Sequence, residues 1–186
     1  MRMSKTLVVG VGLTLHLASA SAFAQDTPKQ ATVPKAAQLT APASIHLSQS
    51  ESEVIDKLHA ANKLEIEAGK LAKKNAGSAQ VKQFGAKLVS DHTKADQELS
   101  TLAKRNGVKL SEVDATRVDA LKDLKGEEFD HTFLKMMVTD HQQAIDAVEK
   151  AQGDAENKDI KALLNKTLPT LRSHEQHAEK LTATHS

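Results

Sequence analysis

The sequence predicts an all-α fold, a four-helix bundle of two antiparallel hairpins joined by a longer connection with a short helix of its own. Three observations carry this. From Ser50 onward apolar residues recur at helical spacing. Glycines and capping residues punctuate the pattern at regular stops. Aromatic residues make up only 2% of the chain and alternation is weak, which leaves no material for a sheet.

Each element follows in order. "SESE" at Ser50–Glu53 reads as a capping box, opening a first helix that runs to about Ala76, before Gly77. Ser78 caps a second helix through Asn106, stopped by Gly107 in the left-handed position. "SEVD" at Ser111–Asp114 offers another box, for a short helix ending near Gly126. A third long helix covers about Glu127–Gln152 before Gly153, and a fourth runs from after Asn157 to about Ala183. The turns within each hairpin are short. The connection between the second and third long helices is long enough to span the bundle, which permits the one-crossover topology of ferritin-like bundles. A plain up-down-up-down order is the alternative.

The 186 residues suit one domain once the N-terminus is set aside. Residues 1–24 read as a secretory signal peptide: Arg2 and Lys5, an apolar run from Leu7 to about Ala18, and "AFA" at Ala22–Ala24 as the cleavage site. Residues 25–47 hold three of the four prolines among Ala, Thr and Gln, a composition that buries no core, and read as a flexible leader. The bundle domain is then 48–186. The mature chain is nearly neutral, with no basic block and no Tyr or Trp, which argues against a nucleic-acid partner. It has no stretch apolar enough to cross a bilayer. There is no Cys, hence neither a disulfide framework nor a lipoprotein anchor. The expectation is an exported protein, periplasmic or associated with the outer membrane of a bacterium.

The core stripe contains an anomaly. "LVSDHTKAD" at Leu88–Asp96 and "MVTDHQQAI" at Met137–Ile145 write one phrase twice, each following a Phe (Phe84, Phe133) seven residues before its Asp. Heptads on the second helix put Val81, Leu88, Ala95 and Leu102 at a, Phe84, Asp91 and Glu98 at d, and Gly85, His92 and Leu99 at e. The same frame puts Asp140 at d and His141 at e on the third long helix, and His174 at d on the fourth. Glu65 shares a row with Leu58 and Ala72 on the first. Glu65, Asp91, His92, Asp140, His141 and His174 thus all point inward, or nearly so, close to the midpoints of their helices, where neighbours meet at one level in either topology.

Unpaired buried charge is costly, so such a layer needs an explanation. Three readings are open. The six groups are metal ligands, as carboxylates and imidazoles from facing helices are in bundle cores. Or they form a salt-bridge layer in which each Asp fixes a His tautomer on a neighbouring helix and sets register. Or the e-position histidines lean outward and only the aspartates are buried. Against a di-iron site, Val89, Val138 and Leu171 stand three residues before His92, His141 and His174, where Glu-x-x-His motifs place Glu. Glu128–His131 and the similar Asp56–His59 fall on outward positions and read as surface residues. Pro169 interrupts the fourth helix, either aiming His174 at the layer or marking a bend; His177 reads as surface. No Cys nucleophile, Gly-rich phosphate loop or Ser-x-x-Lys motif is present, and Met136 and Met137 read as packing.

"EIEAGKLA" (Glu65–Ala72), "VKQFGAKLVSDHTKADQEL" (Val81–Leu99), "FDHTFLKMMVTDHQQAI" (Phe129–Ile145) and "KTLPTLRSHEQHA" (Lys166–Ala178) resemble a bacterial exported-protein family of unknown function, often labelled membrane or outer-membrane proteins. The resemblance covers about Ser50–Thr182 and implies a ferritin-like four-helix bundle. Its shared positions fall on Glu65, Asp91, His92, Asp140, His141, Pro169 and His174; Phe133 departs from it, where many relatives carry Tyr. The expectation is a non-catalytic envelope protein whose His/carboxylate layer binds a transition metal (Fe, Mn, Zn or Cu), linked by analogy to stress tolerance. The alternative is a structural or interaction module of the envelope, with a protein partner and no metal; an oxidase- or catalase-like enzyme comes third.

Overall fold

The computed structural model describes residues 47–184. The signal segment, the leader except Leu47, and the last two residues lie outside the described residues. Five helices follow in order: α1 Gln49–Asn75, α2 Ala79–Arg105, α3 Thr116–Asp119, α4 Gly126–Asp154 and α5 Lys158–Thr184. The predicted all-α class and the long helix-containing connection are both present.

Two buried carboxylates decide the topology. Asp130, near the start of α4, accepts the N–H groups of Gly77 and Ser78 at 3.0 and 2.8 Å, which seats α4's first turns on the α1–α2 turn. Glu51, in the first turn of α1, accepts the N–H groups of Glu156 and Asn157 at 3.0 and 2.7 Å, which seats the α4–α5 turn at the opposite end. Segment 106–125 therefore runs the length of the bundle. Helix α4 is parallel to α2, and α5 to α1. The principal packing partners (α1 with α2 and α4, α5 with the same two) are all antiparallel. This is the one-crossover arrangement; up-down-up-down is excluded.

Capping shows where local chemistry departs from the sequence reading. The capping box lies one pair earlier, at Ser48 and Glu51: Ser48 Oγ accepts the Glu51 N–H at 3.2 Å and the Glu51 carboxylate accepts the Ser48 N–H at 2.9 Å. Glu51 is drawn there because its other oxygen serves the α4–α5 turn, whereas Glu53 is exposed. The Ser111–Asp114 box does not form. Ser111 donates its N–H and hydroxyl to Asp56, each at 2.7 Å, lashing the connection to α1. Asp114 accepts from Thr116 N–H, and α3 is a single turn. Ser78 and Gly107 behave as expected, with Gly107 at φ 70°.

The core is split in two. One half packs Phe84, Phe129, Phe133, Leu134 and Met137 with Ala72 and Val81; the other packs Ile55, Leu99, Val148, Ile160 and Leu164. Phe129 and Phe133 stack with centroids 5.5 Å apart, and Phe84 meets Phe133 edge-on at 6.1 Å. Each ring buried this way contributes roughly 1.5–3 kcal/mol. Helices α1 and α2 touch backbone to backbone at Gly69 and Gly85. A Cβ on Gly85 would stand 2.5 Å from Ala72 Cβ and 2.9 Å from the Gly69 carbonyl oxygen. That approach brings Glu65 of α1 within reach of His92 of α2.

Candidate metal centre

Between the two apolar halves, each long helix contributes one buried ionisable side chain: Glu65 from α1, His92 from α2, His141 from α4 and His174 from α5. Their exposures are 2%, 4%, 0% and 0%. Three histidine ligand atoms, one per ring, lie within 4.8 Å of one another. Glu65 Oε2 stands 2.7 Å from His92 Nε2 and 3.2 Å from His141 Nε2.

The outer nitrogen of every ring is committed. His141 Nδ1 donates to the Met137 carbonyl at 2.9 Å, an oxygen that only accepts. His174 Nε2 donates to the Asp91 carboxylate at 2.9 Å. His92 Nδ1 donates to Asn62 Oδ1 at 2.8 Å. In its neutral form an imidazole has one donor and one acceptor, so a neutral ring here keeps a bare lone pair on its other nitrogen. Those atoms, His92 Nε2, His141 Nε2 and His174 Nδ1, make no hydrogen bond, and neither does Glu65 Oε2. With His92 neutral the short Glu65–His92 contact is an approach of two acceptors; a proton on Nε2 turns it into an ion pair, so the contact is relieved by a proton or by a metal ion. A buried polar atom without a partner costs about 1–3 kcal/mol. Here four are gathered at one level.

The electrostatics follow from burial. Burial pushes the Glu65 carboxyl upward, but the imidazoles around it in their protonated forms, His92 first, then His141 and His174, pull it below its ordinary value, so it is ionised. Burial lowers His174 to about 4, against the pull of Asp91. His174 is therefore neutral at physiological pH.

A cleft of about 370 Å³ opens between α2 and α5, with Asn62, Glu65, His92 and His174 toward its floor. A second, of about 320 Å³ on the α1–α4 side, shares Leu58, Ala61, Glu65 and Ala144 with the first. Arg117 and Asp140, which are ion-paired, line this second cleft.

The sequence matches, over residues 36–181, the family described as a domain of unknown function (DUF4142). The chain belongs to that family. No curated protein matches this DUF4142 chain. Among solved structures it is similar to CopM in the Cu(I)-bound form, with TM-score 0.64 and 16% identity over 74% of this chain and 98% of that one. CopM in the Cu(II)-bound form gives 0.62 and 16%, over 72% and 97%. A DUF305 fragment from Deinococcus radiodurans gives 0.68 and 14%, over 75% and 99%. At these identities the likeness is one of fold.

Of the six residues singled out from the sequence, the structure gathers Glu65, His92, His141 and His174. Asp91 stands behind His174, its side chain 31% exposed and also bonded to Lys87 at 2.7 Å. Asp140 is outside the donor set altogether. It pairs with Arg117 in α3, and burial nevertheless raises its carboxyl above the ordinary range. The idea of outward-leaning histidines and buried aspartates is reversed. The reason is that α1 packs against the e side of α2, so Gly85, His92 and Leu99 form the inner row; Leu134, His141 and Val148 do the same on α4.

Glu128 and His131 are exposed, as expected. Asp56 and His59 are not simple surface residues: Asp56 holds Ser111, and His59 Nδ1 meets Asp96 at 2.6 Å with both side chains 15% exposed. His177 is half-buried on Phe84, with centroids 4.7 Å apart. Pro169 is inside α5, exposed, and lines the α2–α5 cleft beside His174. Sequence reasoning missed Asn62, whose signal was an amide in the interior of a helix, one turn before Glu65. It missed Arg117 as well, for which no local pattern gave a sign.

Proposed function

We propose that the protein is an exported, non-catalytic metal-binding bundle that holds one divalent transition-metal ion between Glu65, His92, His141 and His174. One observation carries the reading: four buried ligand atoms from four helices face one another with no hydrogen-bond partner outside the group. A proton on His92 Nε2 joins that ring to Glu65 but does not serve His141 Nε2 and His174 Nδ1 as well. A cation does. The outer bonds to Asn62, Met137 and Asp91 fix tautomer and ring orientation, as outer partners of metal-bound histidines do.

Three nitrogens and one oxygen, without sulfur, suit copper(II) or zinc(II) first and iron(II) or manganese(II) less. The fold likeness to copper-bound CopM supports copper among these. Export rests on the composition of residues 1–24, and a part in envelope stress tolerance rests on analogy alone.

The test is metal analysis of untagged protein, with thermal unfolding in the presence of each ion. About one ion per chain is expected, with His92→Gln and His141→Gln abolishing binding while the metal-free fold persists. Sub-stoichiometric metal in every preparation, with no stabilisation by copper, zinc, iron or manganese, would sink the reading. It would leave the layer as a register device, and in that case the His→Gln variants lose stability without any metal present.

A further inference from the structure

We infer that the centre accepts a ligand from outside: the cleft between α2 and α5 takes a small monoanion with an apolar body, a short-chain carboxylate, whose oxygen completes the coordination of the ion. This rests on the metal reading above.

The cleft reaches Glu65, His92 and His174 at its floor, so an ion held there faces about 370 Å³ of open space. Its walls are in part aliphatic, with Leu58, Leu99 and Leu171 set among charged and hydroxyl side chains of α2 and α5. The charge balance selects an anion. An imidazole ligates a metal as a neutral group, so Glu65 alone offsets a divalent ion and one positive charge remains. The rim adds to this. Lys87 is engaged by Asp91 and Lys166 by Glu98, whereas the exposed Lys94 makes no ion pair among the described residues. A single residual charge with one free lysine fits a monoanion, and the aliphatic part of the walls gives its body a place out of water. The α1–α4 cleft is the poorer route, because the Arg117–Asp140 pair stands in it.

Cobalt(II) serves as the probe, its visible bands reporting coordination without any activity. The loaded protein is titrated with formate, acetate, propionate and butyrate. Saturable band shifts are expected, with affinity rising roughly three- to fourfold per added methylene as each is buried. Thr170→Trp, which fills the cleft from the exposed face of α5, is expected to leave cobalt loading intact and weaken butyrate binding about tenfold or more. Lys94→Gln is expected to weaken every anion about equally and to flatten the salt dependence. Bands that ignore all four anions in fully loaded protein overturn this inference alone. Affinity that does not grow with chain length, or that Thr170→Trp leaves unchanged, overturns the cleft as the seat of the anion. Failure of cobalt, copper and zinc alike to load overturns the metal reading and this one with it; if copper alone loads, its visible band reports the same titrations.

Discussion

His174 uses both ring nitrogens, and Asp91 decides which one carries the proton. With its Nε2–H held by Asp91, the ring presents Nδ1 as a lone pair to the layer. Asp91→Ala removes that acceptor, and metal affinity is expected to fall about 10- to 100-fold. Asp140→Ala is the matched control. Its carboxylate binds Arg117 and acts on Glu65 and His141 only through its charge, with no hydrogen bond to a histidine, so affinity is expected to stay within about threefold. Calorimetric titration of both variants decides the matter, and equal losses would show that the two aspartates play one role after all. Glu51 makes a separate point at this scale. Burial raises its carboxyl, but the N–H groups of Asn157, Ser48 and Glu156 outweigh that and hold it below its ordinary 4.5. A carboxyl lowered on folding binds fewer protons in the folded chain than in the unfolded one. Its contribution is therefore full above 4.5 and is lost as the pH falls through the folded value. Glu51→Gln is expected to lower the melting temperature near neutrality and to flatten its decline as the pH falls below 4.5. An unchanged acid limb would contradict the assignment.

Among the helices, the Gly69–Gly85 contact matters most, because it sets the distance from Glu65 to His92. Gly85→Ala places a methyl 2.5 Å from Ala72 Cβ and 2.9 Å from the Gly69 carbonyl oxygen, so α1 and α2 must part. The expected cost is about 1–3 kcal/mol, together with a loss of metal affinity larger than that of a mutation equally destabilising elsewhere in the bundle. Unfolding measured with and without metal separates the two effects. The elements themselves were legible in the sequence because Ser78, Gly107 and Asn157 act locally, through their own neighbours' N–H groups or their own dihedral angles. The site was legible in part. Mid-helix position brought Glu65, His92, His141 and His174 to one level, which needs only helical rise. Which of Asp and His turns inward depends on how closely a neighbouring helix packs, and a heptad frame carries no such information. Asn62 and Arg117 were hidden for the same reason: their partners lie on other elements, 30 and 23 residues away.

The bundle as a whole carries a polar layer between two apolar halves, and on the metal reading that layer costs stability until an ion is bound. An ion present at about a hundred times its dissociation constant adds roughly 2.7 kcal/mol. At about 2–4 °C per kcal/mol for a chain of this size, the melting temperature is expected to rise roughly 5–10 °C. A stronger test removes the layer. Replacing Glu65, His92, His141 and His174 together by leucine joins the two halves into one apolar core. Trading buried ionic groups for apolar ones of similar bulk is often neutral or stabilising by about 1–4 kcal/mol. The fourfold variant is therefore expected to melt at or above the metal-free parent, to keep its helicity and monodispersity, and to show no response to copper or zinc. If instead it becomes molten or associates, the layer specifies how the helices pair, and holding an ion is not the reason these four side chains are buried. A layer that costs stability without metal and recovers it with metal is what a binding centre requires, since a register device gains nothing from an ion.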